Sequence, residues 1–96
     1  MFIISGGKGT GKTRELLEKA KAANGVVACE NPTKLTARAY EYGIFGLTFI
    51  HYDDVAIFNA AYPDKKNSLY IHDINKFIRT RFPWVQGYSV SFDDTL

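Results

Sequence analysis

Gly6-Gly7-Lys8-Gly9-Thr10-Gly11-Lys12-Thr13 decides how the rest of this chain is read. The octapeptide fits the pattern G-x-x-x-x-G-K-[ST] at every required position. Its flanks fit as well. Met1-Phe2-Ile3-Ile4-Ser5 is a short apolar run of strand type, and Thr13-Arg14-Glu15-Leu16-Leu17-Glu18-Lys19-Ala20 opens a helical pattern. The expected local structure is strand, glycine-rich loop, helix.

These residue types suit a dense anion. Gly6, Gly7, Gly9 and Gly11 have access to backbone angles closed to other residues, so a loop carrying them, with Thr10 between, can curl its amides inward. The helix starting near Lys12 adds free N–H groups and the positive end of its dipole. Lys12 is expected to reach β- and γ-phosphates, and the Thr13 hydroxyl to bind a magnesium ion held between them. Lys8 either touches the γ-phosphate or points to solvent. Arg14 follows the loop and is expected near the phosphates. Arg38, Arg79 and Arg81 read as solvated surface unless they reach a neighbouring subunit's site.

Outward from this stretch, strands and helices alternate. Strand-type residues occupy 2–5, 26–29, 47–52, 69–72 and 88–92. Helical spacing runs from about Lys12 to Ala23, with Asn24-Gly25 as its stop. Asn31 caps a second helix with Pro32 at its first position, Leu35, Ala39 and Tyr42 on its buried stripe, and Gly43 at its end. Asp53 or Asp54 caps a third helix in which Val55, Phe58 and Ala61 share a face. Ile74, Phe77, Ile78 and Phe82 line a fourth, ended by Pro83. The alternation predicts an α/β three-layer sandwich with a mainly parallel sheet of roughly five strands, in a single domain over residues 1–96.

A phosphate loop of this kind needs an acidic group at the end of a neighbouring strand. Leu69-Tyr70-Ile71-His72-Asp73 offers one and is preferred, because its strand is more apolar and a helix follows at once. Phe49-Ile50-His51-Tyr52-Asp53-Asp54 is the alternative, although that acidic pair also serves as a helix cap.

Taken together, the loop and the late acidic strand resemble the Walker A and Walker B motifs of P-loop NTPases. The order of parts is similar to the RecA-like and thymidine-kinase-like branch. The resemblance implies binding of a nucleoside triphosphate, ATP by prevalence, with Mg2+, and names Lys12 and Asp73 as catalytic and Thr13 and Asp73 as metal-binding. Many such ATPases carry Asp-Glu at the strand end. Here either Asp73 holds the magnesium and Ile74 replaces the Glu, or Asp73 stands in the Glu position and His72 replaces the magnesium acid. One carboxylate is missing in both cases. That departure implies a weak or partner-activated NTPase, or a nucleotide-dependent binding module with little hydrolysis. A small kinase or a nucleic-acid motor subunit ranks lower. Ser89 or Ser91 could sense the γ-phosphate, or simply form the wet face of an edge strand.

The chain's 96 residues allow one small domain. A net charge of +2 is too mild to argue for nucleic acid. A homo-oligomer or a protein partner is the expected way to complete the site. The single cysteine, Cys29, excludes an internal disulfide and a CxxC metal site, and reads as a small core residue. No run is long enough to span a membrane, so a reducing cytoplasmic setting is expected.

Overall fold

The computed structural model describes residues 11–61 and 68–89. The strand expected at 2–5, loop residues Gly6, Gly7, Lys8, Gly9 and Thr10, and Ser91 lie outside them. Among the described residues four helices, α1 (Lys12–Ala22), α2 (Pro32–Glu41), α3 (Val55–Ala61) and α4 (Ile74–Arg81), alternate with three strands, β1 (Val26–Cys29), β2 (Thr48–His51) and β3 (Leu69–Ile71). The strands form one parallel sheet in the order β2-β1-β3.

β1 is central because it is apolar on both faces. All four of its residues are buried, as a strand covered on both sides requires. Val27 and Cys29 join Leu17 and Ala20 of α1 and Leu35 and Ala39 of α2 in the core. Val27 pairs with Phe49 and Tyr70, which pack against the same cluster. Val26 and Ala28 point the other way. Val26, Thr48 and Ile50 share a shallow apolar cavity with Phe58 of α3. Helices therefore cover both faces. The topology demands this: the chain moves from β1 to β2 on one side and back past β1 to β3, and crossovers of constant hand reverse direction only by changing face.

Local chemistry places the helices. α1 ends in a Schellman motif, with Asn24 at φ 53°, Gly25 N–H bonded to the Ala20 carbonyl at 2.8 Å and Asn24 N–H to Lys21 at 3.1 Å. α2 is capped by Asn31, whose side chain accepts from Lys34 N–H at 3.1 Å. It ends in a second Schellman motif, in which Gly43 takes φ 75° and Ile44 N–H reaches the Ala39 carbonyl at 2.9 Å. Ile44 then packs against the core.

Gly25 does a second job that requires glycine. A Cβ there would lie 2.6 Å from the Ser68 carbonyl oxygen and 2.6 Å from the Tyr70 ring. That carbonyl accepts the Val26 N–H at 2.8 Å, the bond that starts the β1–β3 ladder. Gly25→Ala should cost about 1–3 kcal/mol by forcing the backbone apart at this point. Urea unfolding measures the loss, and an unchanged midpoint would show that β3 can retreat freely.

Several expectations are corrected. Three of the expected strands are described; the one expected at 2–5, and residues 90–92 of the one expected at 88–92, lie outside the described residues. Tyr88 and Ser89, expected to open a fifth strand, carry no strand and are exposed. Asp53 and Asp54, expected at the cap of α3, directly precede it. They lie inside a 3-10 turn, Tyr52–Asp54, which His51 caps by accepting Asp53 N–H on Nδ1 at 3.0 Å. α4 stops at Arg81, leaving Phe82 as its C-cap. Of its expected apolar stripe, Phe77 and Ile78 are half-buried but Ile74 and Phe82 are exposed. Pro83 cuts the stripe short by restricting the residue before it.

Candidate functional site

α1 runs antiparallel to the strands, so its first turn sits at the carboxyl edge of the sheet, where open α/β sheets bind ligands. Gly11 is its N-cap at φ 78°, a left-handed conformation that glycine adopts without strain. Lys12 and Thr13 follow at once as the first two helical residues and are half-buried.

The Thr13 hydroxyl lies 3.1 Å from Nε2 of His72. This contact joins residues 59 positions apart and sets the loop–helix junction against the end of β3. His72 prolongs the strand, since its N–H still bonds the Ala28 carbonyl at 2.9 Å. Burial pushes the His72 imidazole below its ordinary pKa. The Asp73 carboxylate opposes that shift, while the Arg38 guanidinium and the Lys76 ammonium reinforce it. A neutral ring carries one N–H and one acceptor nitrogen. Arg38 and Lys76 thus bring positive charge near His72, with the Lys76 ammonium 3.8 Å from the Glu30 carboxylate.

Lowering the pH should therefore destabilise the fold through this residue. Unfolded, His72 takes a proton near its ordinary value of about 6.5. Folded, it resists until lower pH. Stability should accordingly fall as pH drops below about 6.5 and level off once the folded ring is protonated. Urea midpoints compared at about pH 7.5 and about pH 5.5 should show a larger acid loss in the wild type than in His72→Gln. Equal losses would mean His72 titrates alike in both states.

Asp73 does something else. It adopts φ 61° and ψ 80°, a left-handed conformation that costs a non-glycine residue about 1–3 kcal/mol. Its carboxylate accepts Lys76 N–H at 3.2 Å and so caps α4. The turn is held from outside by Tyr52. That side chain is buried, and its hydroxyl donates to the His72 carbonyl and, at 3.2 Å, to the Asp73 carbonyl. The Tyr52 ring meets Phe77 edge-on at 5.2 Å. Burial, helped by the Asp73 carboxylate, raises the Tyr52 pKa far above its usual range and keeps the phenol a donor. Across α4, Arg81 pairs with Asp53 at 2.9 Å.

The residues predicted for the site are thus divided. Thr13 meets His72, and Asp73 is the next residue along. The Arg14 guanidinium is engaged elsewhere, 3.4 Å from Glu18 and 5.6 Å from the centre of the Tyr42 ring. Asp53 is committed to Arg81. Sequence reasoning missed Tyr52 and Lys76. The one signal for Tyr52 was a large aromatic closing an apolar strand, which is common to many core residues. Burial raises Cys29 to about 11, so its thiol is inert at neutral pH. Among the described residues no three His, Cys, Asp or Glu side chains cluster to hold a metal, and no helix is long and apolar enough to cross a membrane. Set against known proteins, the chain matches no family model, no curated protein and no solved structure.

Proposed function

We propose that the chain binds a nucleoside triphosphate, ATP by preference, together with Mg2+, in the manner of a P-loop NTPase. The observation that carries this reading is the Thr13–His72 contact, which brings the hydroxyl of the motif to the end of a parallel strand. Two independently recognised segments meet there, and a chance glycine-rich turn would not require that. Lys12 would supply a point charge to the β- and γ-phosphates, and the loop amides and α1 N-terminus the remaining donors.

A magnesium ion fits this donor set in a limited way. It needs few protein ligands when phosphates and water supply the rest. The Thr13 oxygen would be a direct ligand, and Asp73, whose carboxylate is engaged in capping α4, would act through water. When bound, the ion supplies charge neutralisation between the phosphates. The imidazole is a poor ligand for a hard cation, so its place beside Thr13 favours slow hydrolysis. A nucleotide-dependent switch, or an NTPase activated by a partner or a second copy, follows from that. Calorimetric titration with MgATP and MgADP tests the reading. Saturable one-site binding supports it, and heats no larger than dilution would end it.

A further inference from the structure

We propose that His72 is a positioning residue for the Thr13 hydroxyl: its Nε2 accepts a hydrogen bond from that hydroxyl and turns the oxygen lone pairs toward the cation that accompanies the nucleotide. The inference rests on the nucleotide-binding reading and adds to it the role of a residue that a carboxylate would ordinarily fill. It also bears on the two alignments of the strand end, since His72 rather than Asp73 stands beside the Thr13 hydroxyl.

The argument is geometric. A threonine hydroxyl has one proton to donate and two lone pairs. If the proton goes to an acceptor behind it, both lone pairs are free in front. Nε2 stands 3.1 Å from the oxygen, at hydrogen-bond distance. The backbone that carries the ring is held on both sides. Its N–H bonds the Ala28 carbonyl at 2.9 Å, and its carbonyl accepts the Tyr52 hydroxyl. Asp73 is not free to take over this role. Its carboxylate accepts Lys76 N–H, and its left-handed backbone turns the chain into α4. The chain's other histidine sets a useful contrast. His51 accepts Asp53 N–H on Nδ1, and the tautomer that fits this bond carries its proton on Nε2. His72 should carry it on Nδ1, and the two histidines should be opposite tautomers.

The experiment measures ADP affinity by calorimetry with and without magnesium chloride. It uses the full chain and the variants His72→Leu and His72→Gln, and adds nitrogen NMR of the wild-type imidazoles in the presence of MgADP. His72→Leu should reduce the affinity gained from magnesium by about tenfold, the usual scale for losing a hydrogen bond that orients a metal ligand. Magnesium-free ADP affinity should stay within about threefold. His72→Gln keeps an acceptor and should retain most of the gain. A merely structural role would lower both affinities together. If magnesium improves binding equally in the wild type and His72→Leu, the inference falls while nucleotide binding stands. If the wild type binds no ADP under either condition, nucleotide binding itself falls and the inference with it. Should His72→Leu fail to fold, the NMR result decides: an unprotonated His72 Nε2 supports the inference, and a protonated one overturns it.

Discussion

Lys12→Ala should weaken MgATP binding by about a hundredfold to a thousandfold, the largest functional effect expected in this chain. The size follows from what is removed. Each hydrogen bond to a charged partner contributes about 1.5–3 kcal/mol, and truncation also leaves phosphate charge without its counter-ion. A total near 3–4 kcal/mol corresponds to two or three decades in affinity. The fold should survive. Lys12 occupies the first helical position of α1, where alanine is a favourable residue, and the core contacts of that helix begin at Leu17 and Ala20. The control is thermal unfolding beside calorimetry. Binding lost from a protein with a near-normal melting temperature assigns the loss to the phosphate contact. Binding within a few-fold of wild type would remove Lys12 from the site and with it the nucleotide reading.

The parts of the fold that could be read in advance are those fixed by local chemistry. β1 was legible because Val26, Val27, Ala28 and Cys29 form an unbroken apolar run, which only a strand buried on both faces tolerates. α2 was legible at both ends, through the Asn31 side chain and the left-handed Gly43. Reading failed where tertiary context outweighs periodicity. Alternation over residues 88–92 suggested a strand, and Tyr88 and Ser89, the part of it that is described, are exposed and carry no strand. Asp53 has the composition of a cap, yet it is drawn into a 3-10 turn by His51 and an ion pair with Arg81.

The candidate site divides the same way. That the segment ending in His72-Asp73 faces Thr13 could be expected from the motif alone. Which of the two residues touches the hydroxyl could not, because that depends on a one-residue offset set by backbone geometry. Asp73 at φ 61° turns the chain sharply after His72. Nothing in the spacing of apolar residues encodes that turn. It is over-determined by three contacts: the cap to Lys76, the Phe77 N–H on the Asp73 carbonyl at 3.1 Å, and the Tyr52 hydroxyl. Strain of this kind persists only where surrounding structure enforces it, and it gathers at functional positions.

Tyr52 is consequently the residue whose loss should damage stability most and reach the site as well. Its side chain is buried, against Phe77 on one side and the β3–α4 turn on the other. Tyr52→Ala should cost about 3–5 kcal/mol, the range for deleting a buried large aromatic. That is a substantial share of what a small domain has, since native stabilities run about 5–15 kcal/mol. Tyr52→Phe separates packing from hydrogen bonding. It keeps the ring and removes the donor, and should cost about 1–3 kcal/mol. The Asp73 carbonyl would still accept from Phe77 N–H, so the cost falls on the His72 carbonyl. Urea unfolding gives the energies, and amide exchange at His72 and Asp73 shows where they act. In Tyr52→Phe, exchange there should quicken more than at Val27 in the centre of the sheet. If the stability falls with uniform exchange, the hydroxyl supports the fold at large and does not clamp the turn. If neither changes, the Asp73 turn holds itself, and the position of His72 against Thr13 would have to be credited to β3 alone.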